Sequence, residues 1–467
     1  MNLNAPTLWI IIPMALGFLL LFISNQRLLS IFGGLVALAL ALIAQFVPTE
    51  IALRVGPLSL RVASDLIVLG RALVIPPTEG SLLALIYGAA ALWFFGAEAA
   101  RSATRLVPLG FMVIGLMVAS IAVEPFLYAA LFIEMAILLA IPMLTSIHRP
   151  PGRGVVRFLI YQTLAMPFIL LAGWLLAGVE GSPRDVGLTA QSAAMLGLGF
   201  AFLLAIFPLY SWIPVLVEEN SPYIVGFLLW ILPTITIIFG AGFLDRYAWL
   251  RSSPELIVAL RSVGLLMVVT GGAFAAFQRH LGRIMAYGSI VETGFSLLAL
   301  SLDFRLGIPI LFLLIPARAL GLAVWSLSLT VIKENVETMR FGAARGILRV
   351  TPLAGAGMIV ATLSTGAFPL LAGFPSRLAL WEGLSRVSIG ASLWMAIGII
   401  GLLTSAFRSL AVISMADEYT TWTPRESPTQ MTMLGLGILG LFILGLFPQT
   451  VQFFLADLPL MFEQLGR

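Results

Sequence analysis

The sequence contains no cysteine. Disulfides, thiolate metal sites and cysteine-ligated iron–sulfur clusters are therefore excluded from this chain. Only His148 and His280 offer an imidazole, so haem or zinc ligation within the chain is not expected. Charged side chains make up 10% of the 467 residues, against about 25% in a soluble domain. The 26 basic and 22 acidic residues are too evenly matched to suggest a nucleic-acid partner. Lysine occurs once, at Lys333, and every other basic residue is arginine, a cation that effectively never loses its proton.

What is abundant is apolar. The composition is 60% hydrophobic, above the roughly 45–50% of soluble proteins, and apolar runs follow one another from Leu8 to Phe447. In hydrocarbon every backbone amide must be paired within the protein, and runs this long and uniform suit helices rather than barrel strands. The fold class read here is an all-α polytopic membrane protein, a single membrane domain over residues 1–467 with about fourteen transmembrane helices. Spans are expected near 8–24, 28–47, 80–97, 106–122, 125–146, 156–178, 190–214, 222–243, 255–277, 284–302, 306–331, 352–380, 388–414 and 431–449.

The first run is expected to be a retained span, because no basic residue precedes it and Arg27 follows it. Alternating apolar and polar residues predict a surface hairpin near 51–74, and Val451 to Phe462 predicts a surface helix. Trp93, Trp249 and Trp422, near span ends, are expected at the membrane–water interface. Basic residues lean mildly toward the odd-numbered connectors. That bias places Arg149, Arg153, Arg157, Lys333, Arg340, Arg345 and Arg349 in the cytoplasm and both termini on the outer, periplasmic side.

Prolines and glycines gather inside two spans, in Phe207-Pro-Leu-Tyr-Ser-Trp-Ile-Pro214 and in Thr365-Gly-Ala-Phe-Pro-Leu-Leu-Ala-Gly-Phe-Pro375. A proline frees a carbonyl and bends its helix, so Pro208, Pro214, Pro369, Gly373 and Pro375 predict two discontinuous helices. Breaks in separate halves suggest inverted repeats over 106–243 and 255–414 around a central path. Peripheral N-terminal spans over 1–122 and a last span with its surface helix over 431–467 complete the organisation.

Ionisable residues inside spans are functional candidates by default. Glu134 lies in an apolar helix, where an ionised carboxylate needs a partner. Arg377 follows the second break and is placed to meet freed carbonyls or a carboxylate such as Glu382. Arg318, two residues past Pro316, also needs a partner, whereas Lys333 reads as a solvated helix terminus and Arg408 as a side chain that snorkels.

Four segments together resemble the antiporter-like membrane subunits of respiratory complex I, a family that includes subunits of multi-subunit sodium/proton antiporters and membrane-bound hydrogenases. They are Phe126 to Pro142 with its buried Glu134, Phe207 to Pro214 followed by Asn220-Ser-Pro222, Gln278-Arg-His-Leu-Gly-Arg-Ile-Met-Ala-Tyr-Gly-Ser-Ile290, and Ala372-Gly-Phe-Pro-Ser-Arg377. The chain is similar in length to the shorter types, chain N (or 2) and chain M (or 4), and its Ala-Gly-Phe segment most resembles the former.

The resemblance implies a membrane-arm subunit of an NADH:quinone oxidoreductase that takes part in redox-coupled proton translocation in a bacterial inner membrane. NADH, FMN, iron–sulfur clusters and quinone would then belong to partner subunits, with other membrane-arm subunits and lipids as its own partners. The family relays protons through a buried glutamate–lysine pair and a line of lysines and histidines. Here Leu203 stands at the seventh-span lysine, Thr234 near the eighth-span lysine, Leu322 at the eleventh-span lysine, Gly282 before Arg283, and Tyr210 at a histidine.

The expected proton-translocation residues are thus Glu134, Glu292, Arg318, Arg377 and Tyr210, with Glu292 the expected partner of Arg318. The missing lysines leave two alternatives open: a scaffold subunit that no longer conducts, and a subunit of a cation/proton antiporter or membrane hydrogenase.

Overall fold

The structure is a computed structural model that describes residues 2–47, 49–50, 53–55, 58–68, 70–145, 150–181, 186–415 and 422–465. His148 and Arg149 lie outside them, as do parts of the expected 51–74 hairpin.

The first span begins as a π-helical turn, Thr7–Ile11, and continues as α1 (Ile12–Leu20). It is followed by α2 (Gln26–Phe46), α3 (Gly80–Gly96), α4 (Ala103–Ala122), α5 (Ala129–Leu144), α6 (Arg153–Gly181) and α7 (Val186–Leu203). Next come α8 (Trp212–Glu219), α9 (Pro222–Arg246), a single turn α10 (Ala248–Arg251), α11 (Pro254–Phe277), α12 (Leu281–Leu300) and α13 (Phe304–Asn335). The chain closes with α14 (Pro352–Thr365), α15 (Gly373–Val387), α16 (Ile389–Ser414), α17 (Pro428–Leu446) and α18 (Gln449–Leu455). Among the described residues ten helices are long and apolar enough to cross a membrane. The first span, α12 and the two helix pairs α7/α8 and α14/α15 bring the bundle to about fourteen passes.

Short strands cover one face. In backbone pairing, β1 (Asn2–Asn4) runs parallel to β3 (Leu58–Ala63), which runs antiparallel to β2 (Leu53–Val55). A hairpin of β4 (Asp65–Val68) and β5 (Arg71–Val74) pairs Asp65 with Val74 and turns at Gly70, whose φ of +75° glycine adopts without strain. β5 also pairs with β6 (Val123–Glu124).

α4, α9 and α13 form the enclosed centre, while α6, α11 and α17 turn apolar faces outward. Trp93 is fully buried there, packed against Tyr223, Phe227 and Trp230. It is not an interface anchor as its place near a span end suggested, because α3 packs within the bundle and directs this indole inward. Trp422 is exposed and Trp249 half-buried. α11 and α16 cross at Gly272, Gly398 and Gly401, where a Cβ on any of the three would run into the facing backbone.

The C-terminal helix is shorter than expected. It stops at Leu455, and a 3₁₀ turn over Leu458–Met461 follows, with Leu455, Leu458 and Phe462 packed inward and Phe454 and Leu460 exposed. Beyond it, the Asp245 carboxylate accepts the backbone N–H groups of Glu463, Gln464 and Leu465 at 3.0, 2.7 and 2.8 Å.

Both discontinuous helices end in the same way. After α7, Ala205 N–H donates to Phe202 O and Ile206 N–H to Ala201 O; after α14, Ala367 N–H donates to Ser364 O and Phe368 N–H to Leu363 O. These are Schellman caps, which pair carbonyls that hydrocarbon would otherwise leave unsatisfied. Each has an alanine in the left-handed position, Ala205 at φ +50° and Ala367 at φ +56°. Pro214 and Pro375 each stand third in the following helix, where no intrahelical N–H bond is lost.

The far end of α8 is tied down on the face that carries the connectors after α8, α11 and α13. Arg283 donates through Nε and Nη2 to Glu218 Oε2 at 2.8 and 2.5 Å, and Gly154 N–H donates to Glu219 Oε2 at 2.7 Å. Lys333 Nζ donates to Asn220 O at 2.7 Å. It is a half-buried strut between helices, not a solvated terminus, because α13 runs past the α8–α9 turn. Arg408, half-buried, lies with its guanidinium 5.6 Å from the Phe341 ring centre.

His280 caps α12 by accepting Arg283 N–H on Nδ1 at 3.3 Å, with Nε2 4.0 Å from Glu218 Oε1. Burial lowers the His280 pKa below 6.5; Glu218 opposes this, and Arg283, Arg340 and Lys333 reinforce it. The folded protein thus favours neutral imidazole, so its contribution to stability is complete above the unfolded value and lost as pH falls through the lower folded one.

Two outcomes are expected. Ala367→Gly relieves left-handed strain and raises thermal stability in lipid nanodiscs by about 0.5–1 kcal/mol, and Ala367→Val lowers it. Lowering pH from about 7 to about 5 lowers the melting temperature of the wild type more than that of His280→Asn, which keeps a capping acceptor but does not titrate.

Candidate functional site

A charge inside hydrocarbon is retained only where protein groups replace its water. Arg377, in the first turns of α15, and Glu292, midway along α12, are 1% and 3% exposed and form an ion pair through Arg377 Nη2 and Glu292 Oε1. Arg377 Nη1 donates to Gly373 O at 3.0 Å and to Ser376 Oγ at 3.2 Å, and its guanidinium lies 5.2 Å from the Phe295 ring centre. Ser364 Oγ, at the end of α14, accepts Gly373 N–H at 3.0 Å. The pair is therefore built into the second break itself.

This corrects the partner expected for Arg377. Glu382 is exposed and Arg377 is buried, because residues five apart on a helix point to different faces. Arg318 meets Glu292 through space rather than through a hydrogen bond. That guanidinium, 3% exposed on α13, donates through Nη2 to Leu229 O at 2.9 Å and Thr293 Oγ1 at 3.1 Å, and makes no hydrogen bond to Glu292 among those described. α12 thus lies between the two arginines: Thr293 meets Arg318 and the adjacent Glu292 meets Arg377.

The first break lies on the Arg318 side. A cavity of about 20 Å³ is lined by Leu203, Leu204 and Ala205 at the end of α7, Trp212 on α8, and Ser289, Thr293 and Arg318. Gln162 on α6 lines it too, and donates through Nε2 to Phe202 O at 3.3 Å and Leu203 O at 3.2 Å, pairing carbonyls that the break frees. Next to Gln162, Thr163 donates through Oγ1 to Glu134 Oε1 at 2.8 Å. Glu134, half-buried on α5, therefore has a hydroxyl donor within the bundle.

The side chains form a polar line across the bundle: Glu134 and Thr163, Gln162 and the first break, Thr293 with Arg318, then Glu292, Arg377 and the second break. Tyr210 is buried beside Phe207 and edge-on to Tyr287, and makes no hydrogen bond to the arginines or Glu292 among those described. Leu203 and Leu322 are 4% and 3% exposed. Thr234 turns its hydroxyl back to Trp230 O at 2.6 Å. Sequence reasoning missed Gln162, Thr163, Thr293 and Ser364, whose one signal was a polar side chain within an apolar run.

Residues 158–408 match a protein family described as "NADH:quinone oxidoreductase/Mrp antiporter, TM". The chain is 29% identical over 265 residues to NAD(P)H-quinone oxidoreductase chain 4 1 of Synechococcus elongatus, covering 53% of this chain and 49% of that protein. It is 28% identical over 318 residues to NADH-quinone oxidoreductase subunit 14 of Thermus thermophilus, covering 64% and 69%. Overall, the chain spans about half the length of the first curated relatives it matches.

In fold it is similar to a chain of respiratory complex I from Thermus thermophilus, with a TM-score of 0.78 at 21% identity over 99% of this chain and 100% of that one. A chain of the Mrp complex from Dietzia sp. gives 0.80 at 16% identity over 97% and 96%.

The charge arrangement sets an order of damage. Glu292→Gln leaves two buried guanidinium groups without their carboxylate and is expected to cost about 3–5 kcal/mol. Arg377→Met costs less, because Glu292 retains the nearby Arg318 charge, and the double variant is less destabilised than the sum of the singles. Unfolding of the three variants in mixed micelles checks both the order and the coupling.

Proposed function

The chain belongs to the NADH:quinone oxidoreductase/Mrp antiporter transmembrane family, and from that footing we propose that it is a membrane-arm subunit of a complex I-like NADH:quinone oxidoreductase, taking part in redox-coupled proton translocation. One observation carries this reading: the Glu292–Arg377 ion pair, enclosed at a helix break, continues the polar line that begins at Glu134. A charged pair in hydrocarbon is unfavourable relative to apolar packing, and its retention suits a function better than stability.

In this proposal Glu134 and Glu292 take up and release protons, and Arg318 and Arg377 are fixed charges that tune them, since arginine does not give up its proton. Gln162, Thr163, Thr293 and water near the breaks connect the carboxylates, and Tyr210 borders the route. The two breaks are the matching centres of inverted repeats over 106–243 and 255–414, a reading supported by their shared Schellman caps and left-handed alanines. NADH, FMN, iron–sulfur clusters and quinone are held by partner subunits, and the assembly sits in a bacterial inner membrane with this chain's termini on the outer side.

Leu203 and Leu322 favour a second reading. Both are buried apolar side chains at positions where the family relays protons through lysine, which suits a scaffold subunit that keeps the contacts without conducting.

Glu134→Gln and Glu292→Asp separate the two readings in membrane vesicles of the assembled complex. Proton release per NADH oxidised is expected to fall in both variants while the subunits still copurify. Unchanged stoichiometry with intact assembly overturns conduction through this chain and supports the scaffold. Copurification with antiporter or hydrogenase subunits, without NADH-oxidising ones, overturns the assignment of the complex.

A further inference from the structure

The enclosed charges do not balance. Among the described residues the fully enclosed side chains that are charged at neutral pH, apart from His280 at its connector, are Glu292, Arg318 and Arg377, which sum to +1. Glu292 bonds Arg377 and reaches Arg318 only through space, so Arg318 is the enclosed cation with no carboxylate bonded to it. Arg318 uses one of its three nitrogens: Nη2 bonds Leu229 O and Thr293 Oγ1, whereas Nε and Nη1 are buried with no acceptor among the described residues.

The cavity beside the first break has Arg318 on its wall, and Trp212, whose Nε1 is likewise buried without an acceptor. The fully buried, unpaired side-chain atoms of these lining residues are thus donors. The other polar side chains that line it have bonds of their own: Gln162 through Nε2 with Phe202 O and Leu203 O, Ser289 with Ala286 O, and Thr293 with Ser289 O and Arg318.

We propose that this cavity is a binding site for one small monovalent anion of the halide class, held by Arg318 and Trp212 and neutralising the unpaired guanidinium at the centre of the membrane. Three unpaired nitrogens, carrying four N–H bonds, call for an acceptor, and the net charge calls for a negative one. A water molecule satisfies the first requirement and not the second. The volume of about 20 Å³ suits a single small particle, a water or a halide, better than a large ligand. The remaining walls, among them Phe158, Leu203, Leu228 and Leu229, are apolar and strengthen a charge–charge attraction between them.

The test uses the full chain, purified with the subunits that accompany it. Crystals grown in bromide are expected to show an anomalous peak within hydrogen-bond distance of Arg318 and Trp212. Replacing gluconate with chloride at constant ionic strength should raise the melting temperature saturably. Trp212→Phe keeps the guanidinium and removes one donor, so the half-saturating chloride concentration is expected to rise about tenfold. Arg318→Met should abolish both the peak and the chloride response; if that variant does not fold, Trp212→Phe decides alone. Density in the cavity without anomalous signal identifies a water and overturns the proposal. So does a chloride response that Trp212→Phe leaves unchanged.

Discussion

A peptide group in hydrocarbon has no water to fall back on, so each carbonyl freed by a helix break must find a donor within the protein. The two interrupted helices meet this requirement with the same device. A Schellman cap closes α7 and α14 and a proline is placed where its missing donor is harmless, while a side chain serves the neighbouring backbone: Gln162 at the first break, Ser364 and Arg377 at the second. Once the breaks exist they are also where charge is tolerated, because half-helix ends present partial charges that a guanidinium or carboxylate can use. The location of the candidate site thus follows from backbone hydrogen bonding before any chemistry is considered.

Much of this was legible in the amino-acid order. Twenty-residue apolar runs give the helical spans directly, and it is the clustering of prolines with glycines around Pro208 and Pro369 that marks the breaks, since single prolines such as Pro108, Pro233 and Pro316 stand within continuous helices. What was not legible is who meets whom. Arg377 was matched with Glu382, its neighbour in sequence, when its partner is Glu292, 85 residues away. Trp93 sits near a span end and was read as an interfacial side chain, yet α3 lies within the bundle. Lys333 stands near a helix end, yet α13 passes the α8–α9 turn there and its ammonium bonds Asn220 O. Each error has one cause: periodicity and composition report a residue's depth along its own helix, and the packing of other helices decides its surroundings.

The enclosed cations of the centre are arginines, and the one lysine, Lys333, lies away from it at the end of α13. A buried lysine can alternate between charged and neutral forms as its neighbours change, whereas a guanidinium holds its charge throughout. In this chain the groups able to gain or lose a proton along the central line are therefore carboxylates, and the arginines set the field in which they work.

α13 ties these observations together mechanically. Its 32 residues make a rod of about 48 Å, well beyond the ~30 Å of the hydrocarbon layer, so the helix must lean or protrude. Arg318 sits near its midpoint and Lys333, the sole lysine, near the end that grips the α8–α9 turn; about 22 Å of continuous helix separates them. A tilt of that rod would shift the buried cation and drag the broken helix at once, making α13 a lever with one arm at the membrane surface and its load at the centre.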